Sequence, residues 1–332
     1  MVGLAIVAFV SGTLVSLSMS RLLVSRLERV GERLGMTEAL LGVVAALAAD
    51  APEITASITA LTHHQQAVGA GVVIGSNVFN LAALLGLGAV VAGRIVLHRK
   101  VVLFGGAVAL YVSLICLLAV VRVVTPIVAL VLVLVVLLSY FGILGARRSV
   151  VTRIGLPRQW STWLNEAIVE EEAELEEAIR PRRGTVSDAV VAFGALLIVV
   201  TASVAMEHGA SSLGLRYHVA EIVVGGLVLA AVTSLPNAVA AVYLARKGRG
   251  AAALSTALNS NAINVAAGFL IPAAVIGLAK PTASGVLIAG WYVGLTVLTL
   301  ILAYSGRGLR RSSGWLIITV YVLFVVDLLI AT

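Results

Sequence analysis

The chain has 332 residues, 60% of them hydrophobic and only 12% charged, with a mean hydropathy of +1.09 and a formal net charge of +7. Soluble domains carry about 25% charged and 45–50% apolar residues, so this composition excludes an ordinary soluble enzyme, a disordered chain, a collagen and a disulfide scaffold. The single cysteine, Cys116, excludes an internal disulfide and a thiolate metal centre.

A membrane helix needs about 20 apolar residues. Ten stretches of the chain meet that need: 2–20, 37–61, 67–92, 101–120, 125–145, 188–207, 219–245, 250–278, 282–304 and 313–330. The first lacks a basic n-region and reads as a retained span, not a cleaved signal peptide. With ten alternating spans, 20 of the 23 basic residues fall on one side, leaving Arg122, Arg216 and Lys280 on the other. The positive-inside rule then places the crowded side in the cytoplasm, with both termini external. The basic charge is thus explained by topology, and no nucleic-acid partner is expected. The predicted fold is an all-α membrane protein of ten transmembrane helices in two inverted five-helix repeats. Its divisions are 1–145, a cytoplasmic loop 146–187, and 188–332. Within the loop, seven glutamates between Glu166 and Glu177 alternate with Leu164, Ile168, Leu175 and Ile179 at helical spacing, which predicts a short solvated helix.

An offset of 184 residues superimposes the two halves without a gap. Pro52 falls on Pro236, Ser76 on Ser260, Asn77 on Asn261, Asn80 on Asn264 and Gly93 on Gly277. Because five spans separate the copies, the second must run in the opposite direction. Inverted repeats with proline-broken helices at matching positions point to a midplane site of a secondary transporter.

Asp50 and Glu53 lie three residues apart near the middle of the second span, on one helix face. A charge at the bilayer centre costs about 2.5–3.5 kcal/mol on insertion scales. No basic residue lies in any other predicted span to pair with them, so a structural ion pair is the weaker reading. Pro52 and Pro236 each remove a helical N–H and disturb the preceding turn. Carbonyls beside the breaks, at Ala46, Ala48 or Ala49 and at Ala230, Val232 or Thr233, are then candidates to face an ion. Ser76, Asn80, Ser260 and Asn264 add neutral oxygens of the kind that bind Na⁺, Ca²⁺ or Mg²⁺. Asn77 and Asn261 read as packing or capping residues. His63 and His64 lack a neighbouring acid in the sequence. Glu207, His208, His218 and Glu221 read as solvated residues at the outer ends of spans six and seven, and Asp327 as an outer-interface residue. Trp291, Tyr292, Trp315 and Tyr321 read as interfacial or packing aromatics.

These residues carry a resemblance. The first repeat reads A-A-D-A-P-E and G-S-N-V-F-N, the second V-T-S-L-P-N and N-S-N-A-I-N. The chain resembles the cation/Ca²⁺ antiporter superfamily, most of all the prokaryotic sodium/calcium exchangers, whose motifs lie near G-T-S-x-P-E and G-S-N-x-F-N. The resemblance implies ions bound between spans two, three, seven and eight. It puts Glu53 in the place of a central bridging carboxylate, with Thr233, Ser234, Ser76, Ser260 and Asn80 as ligands. Four positions depart. Asn237 stands where the second repeat usually has an acid, Asn264 where Asp or Asn occurs, and Asp50 where a small polar residue is usual, with Ala49 replacing the usual Thr beside it.

The expected site is therefore Asp50, Glu53, Ala46, Ala49, Ser76, Asn80, Ala230, Thr233, Ser234, Asn237, Ser260 and Asn264. Its formal charge of about −2 suits one divalent ion or two monovalent ones. Two acids one turn apart repel each other without a cation, so protons are expected to compete with Ca²⁺. The expected function is exchange of Ca²⁺ for Na⁺ or H⁺ with no cofactor, the lipid bilayer and the transported cations being the partners. Oligomeric state is left open, a monomer being compatible with the pattern. Exchange of Mg²⁺ or monovalent ions, and a non-transporting sensor, are the alternatives. An intramembrane acid-pair enzyme fits less well, because both acids share one helix. H-E-x-x-H and G-x-S-x-G motifs are absent.

Overall fold

A computed structural model describes residues 2–36, 38–145 and 184–332. The expected Glu-rich helix lies outside the described residues. The first half comprises α1 (Val2–Arg33), α2 (Glu38–Ala49), α3 (Ala51–Thr62), α4 (Gln66–Asn80), α5 (Gly88–Ala92), α6 (Arg99–Val120) and α7 (Pro126–Gly145). The second comprises α8 (Val186–Arg216), α9 (Glu221–Val223), α10 (Ala230–Thr233), α11 (Leu235–Arg246), α12 (Gly250–Ile263), α13 (Ile271–Ile276), α14 (Ala283–Ser305) and α15 (Arg311–Ile330). Wide π-helical turns at Leu81–Leu87, Val224–Leu229 and Asn264–Leu270 carry the chain from α4 to α5, α9 to α10 and α12 to α13. Helices α1, α3, α4 and α6 begin 184 residues before α8, α11, α12 and α14, so the offset read from the motifs also governs the elements.

Eight of these helical stretches are long and apolar enough to cross a membrane, and two bent pairs raise the number to ten. The bends, 52° between α2 and α3 and 47° between α10 and α11, fall at the two prolines. Pro52 and Pro236 sit in the first turn after each bend, where the missing N–H costs no helical bond. The hinge residues share one backbone conformation: φ −82°, ψ −2° at Asp50 and φ −82°, ψ −3° at Ser234. Gly93 and Gly277, also equivalent, close α5 and α13 with φ of 81° and 86°, the left-handed region that glycine enters without Cβ strain.

Two features differ from the expected spans. Helices α1 and α8 outrun predicted spans 2–20 and 188–207, reaching Arg33 and Arg216. Leu22, Leu23 and Leu27 continue an apolar stripe beyond Arg21 that packs with Ala192, Ala195 and Val199 of α8, so the basic residues ride on a helix that still has a face to bury. Arg26 Nη1 meets Asp188 Oδ1 at 2.6 Å across that contact, and Asp188 also completes a capping box with Thr185. Secondly, β1 (Arg94–Val96) pairs antiparallel with β2 (Gly308–Arg310), tying the segment after α5 to the one before α15. The largest apolar cluster joins α4, α6, α12 and α14 through Ile74, Val112, Leu258 and Tyr292. Helix α4 meets the π turn before α10 backbone to backbone: a Cβ on Gly75 would stand 2.2 Å from the Gly226 carbonyl oxygen. Small residues that let membrane helices touch in this way bring Ser76 beside the second break.

Candidate cation-binding site

The two breaks face each other, and their polar residues are fully buried: Asp50, Glu53, Ser76, Asn80, Thr233, Ser234 and Asn264 are each 0% exposed. Glu53 lies in the first turn of α3, where the helix dipole favours a carboxylate. Ser234 Oγ donates to Glu53 Oε1 at 3.0 Å. Asp50 Oδ1 accepts from Ser260 Oγ at 2.6 Å and from Asn237 Nδ2 at 2.7 Å. Asn237 Nδ2 also lies 3.3 Å from Ser260 Oγ. The three bonds to the acids each run from a donor in the second half to a carboxylate in the first.

Beside the acids lies a ring of four asparagines. Asn77 Nδ2 donates to the Asn261 carbonyl at 3.1 Å, and Asn261 Nδ2 returns the bond to the Asn77 carbonyl at 3.0 Å. Asn80 Nδ2 donates to Asn261 Oδ1 at 3.0 Å, and its counterpart Asn264 Nδ2 reaches Asn77 Oδ1 at 3.5 Å. The 184-residue offset turns each bond into the other of its pair. Asn77 and Asn261 thus spend their amides on holding α4 against α12, whereas Asn80 and Asn264 each keep a side-chain oxygen.

Four of the buried side-chain oxygens without a hydrogen-bond partner belong to this region: Asp50 Oδ2, Glu53 Oε2, Asn80 Oδ1 and Asn264 Oδ1. Buried acceptors are normally satisfied, and buried charges are paired or bind metal. Neither acid makes an ion pair among the described residues. Two carboxyl and two amide oxygens with no donor form a hard, oxygen-only set suited to an alkali or alkaline-earth cation.

The remaining expected residues take other arrangements. Ser76 Oγ donates to the Val72 carbonyl, and Thr233 Oγ1 to the Leu229 carbonyl at 2.9 Å, so both hydroxyls are turned to their own helices with lone pairs to spare. The Ala46 carbonyl accepts the Asp50 N–H at 2.9 Å, and the Ala230 carbonyl accepts the Ser234 N–H at 3.3 Å. Both therefore keep a backbone bond at the hinge. Ala46 and Ala49 are half-buried, whereas Ala230 is fully buried. The Ala48 carbonyl accepts from Ser20 of α1 at 3.4 Å.

Some polar residues escaped the motif reading. Ser57, one turn beyond Glu53, is buried with its Oγ 2.8 Å from the carbonyls of both Gly69 and Gly268. Its spacing of four from Glu53 was the available signal. Glu207, expected in solvent, is instead buried. Ser211 Oγ lies 2.7 Å from its Oε1, His208 Nδ1 lies 3.5 Å from its Oε2, and the His63 ring packs edge-on against His208 at 4.9 Å. No sequence spacing joins His63 to Glu207, because the contact bridges α8 and the end of α3. Trp291 Nε1 donates to Asp327 Oδ2 at 2.7 Å, giving that acid an internal partner, while Tyr292 is a buried packing residue and Trp315 is exposed.

Broken helices meeting around buried acids and amides define a polytopic membrane protein of the ion-exchanger class. The chain belongs to the sodium/calcium exchanger protein family, whose profile matches residues 4–148 and 187–329. Over 93 residues it is 32% identical to the candidate antiporter CaxA of Alkalimonas amylolytica, covering 28% of this chain and 29% of that protein. Over 80 residues it is 32% identical to sodium/potassium/calcium exchanger 1 of Gallus gallus, covering 24% of this chain and 12% of that one. The matches thus span less than a third of either curated relative. The fold is similar to that of the H⁺/Ca²⁺ exchanger CAX, with a TM-score of 0.71 at 15% identity over 98% of this chain and 82% of that one. It is also similar to the sodium-calcium exchanger NCX_Mj, with a TM-score of 0.62 at 18% identity over 98% and 99% of the respective chains.

Proposed function

We propose that this protein is a secondary active antiporter that exchanges Ca²⁺ for Na⁺ or H⁺ at a site halfway across the membrane. The observation that carries the reading is the pair of fully buried carboxyl groups, each with one oxygen lacking a donor, and without a basic partner among the described residues. Such a pair calls for positive charge from outside the chain. One divalent cation neutralises it, as do two monovalent cations or protons, and that equivalence lets one site serve both directions of exchange. Family membership supports cation exchange. The similarly folded proteins include both an H⁺/Ca²⁺ and a sodium-calcium exchanger, so Na⁺ and H⁺ are both retained as the driving ion.

In this reading the halves are inverted repeats, 1–145 and 188–332, joined by a cytoplasmic loop 146–187, with both termini external. Access alternates as α1 and α8, which pack along each other, slide across the remaining spans. The principal ligands are Glu53 and Asp50, with Asn80 and Asn264 beside them and Ser76, Thr233, Ser234, Ser260 and the hinge carbonyls of Ala46, Ala49 and Ala230 completing the set. The test is uptake of radioactive Ca²⁺ into proteoliposomes under an outward Na⁺ gradient and, separately, under a pH gradient. Uptake driven by one of the two is expected. Uptake under neither gradient, from protein that melts cooperatively, overturns the Ca²⁺ reading.

A further inference from the structure

The 184-residue offset pairs Asp50 with Ser234 and Glu53 with Asn237. Their backbones obey the symmetry: the torsions at Asp50 and Ser234 differ by no more than a degree. Their contacts obey it too. Ser234 reaches Glu53 at 3.0 Å, and Asp50 reaches Asn237 at 2.7 Å, which is the same contact made a second time in the opposite sense. Only the chemistry breaks the symmetry. In one contact the hinge residue is the donor and its partner the acid. In the other the hinge residue is the acid and its partner the donor.

We infer that Asp50 and Asn237 form a transposed acid–amide pair, in which Asp50 supplies the second negative charge of the site and Asn237 positions it instead of ligating the cation. This inference rests on the cation-site reading above. A carboxylate only accepts, so Asn237 must present its NH₂ to Asp50. Asn237 Nδ2 also lies 3.3 Å from Ser260 Oγ, so the amide stands against both the carboxylate and the hydroxyl that donates to it. Asp50 Oδ1 is thereby pinned by two donors from the second half, Asn237 and Ser260. Glu53 Oε1 is pinned by Ser234. Each acid keeps one oxygen free, Asp50 Oδ2 and Glu53 Oε2, and these are the two without partners. Asn237 thus fixes which oxygen of Asp50 is offered to the ion.

The pair can be reversed without changing its shape. Asp50→Asn places two amides face to face and removes a charge. Asn237→Asp places two carboxylates at hydrogen-bond distance. The double variant Asp50→Asn/Asn237→Asp restores one donor, one acceptor and the original net charge, with the acid moved to the second half. Ca²⁺ binding to purified protein is measured by calorimetry, and melting is followed in cation-free buffer. Asp50→Asn is expected to weaken Ca²⁺ binding at least tenfold, about 1.4 kcal/mol. The double variant is expected to return to within about threefold of wild type, a strongly non-additive cycle. Asn237→Asp is expected to melt below wild type and the double variant to recover. A double variant that binds Ca²⁺ no better than Asp50→Asn overturns the inference, as does unchanged melting of Asn237→Asp. If a single variant does not fold, recovery of folding and binding in the double variant still supports the pair. If wild type binds no Ca²⁺ while the melting cycle behaves as stated, the Ca²⁺ reading fails and the pairing stands.

Discussion

Replacing Glu53 by Gln separates the charge of the site from its shape. The amide is nearly isosteric, and Ser234 Oγ, 3.0 Å from Oε1, can donate to an amide oxygen as it does to the carboxylate. What disappears is one of two buried negative charges. Removing one partner of a buried ionic contact costs about 3–5 kcal/mol. At 1.4 kcal/mol per decade, Ca²⁺ affinity falls by at least about 100-fold. In cation-free protein the sign reverses. Wild type must hold Glu53 Oε2 buried without a partner, whereas glutamine has no charge to desolvate. The variant therefore melts at or above wild type in chelator. With Ca²⁺ at 100 times the wild-type Kd, wild type gains about 2.7 kcal/mol by mass action and the variant at most about 0.4 kcal/mol, which favours wild type. Calorimetry, melting with and without Ca²⁺, and proteoliposome flux read the three effects. Wild-type affinity or flux in Glu53→Gln would refute the reasoning.

Three further outcomes are expected. Cysteine at exposed Ser187, introduced with buried Cys116 replaced by alanine, is labelled by an impermeant maleimide only from the cytoplasmic side; labelling from outside intact cells reverses the orientation. Gly75→Ala drives a methyl to 2.2 Å from the Gly226 carbonyl oxygen, where backbone must move, and lowers stability by about 1–3 kcal/mol or more; an unchanged melting temperature contradicts the close approach of the helices. Asn261→Ala takes the side-chain donor from the Asn77 carbonyl, which keeps the Leu81 N–H, and the 3.0 Å acceptor from Asn80, whose amide is left with the 3.4 Å contact to Ser260 Oγ, at about 1–3 kcal/mol in all; melting within error of wild type removes the asparagine ring as a structural element.

The parts of this molecule that were legible in its sequence are those where the bilayer leaves few choices. A span must satisfy its backbone internally, so apolar length locates helices, and the ten expected spans return as eight helices and two bent pairs. Proline disturbs the turn it enters, and Pro52 and Pro236 mark the two bends, whereas Pro272 sits in a span without one. Acids inside an apolar span announce a site because their burial needs repayment, which is why Asp50 and Glu53 are legible in the sequence. Partner choice was less legible, because it depends on which helices meet. The motif spacing offered Asn237 as a ligand of an ion, yet across the break its amide donates to Asp50, beside the donor Ser260. Glu207 looked like one more residue at a wet helix end, yet α8 continues past it to Arg216 and buries it beside Ser211. The strand pair of Arg94–Val96 with Gly308–Arg310 joins segments over 200 residues apart and has no periodicity of its own. The repeat offers a rule for such cases. At the breaks, positions 184 apart share backbone torsions and contact geometry, so there a difference in residue type between twins marks where the chemistry has been reassigned. Asp50 against Ser234 and Glu53 against Asn237 are such differences, and they fall on the two contacts that hold the carboxylates.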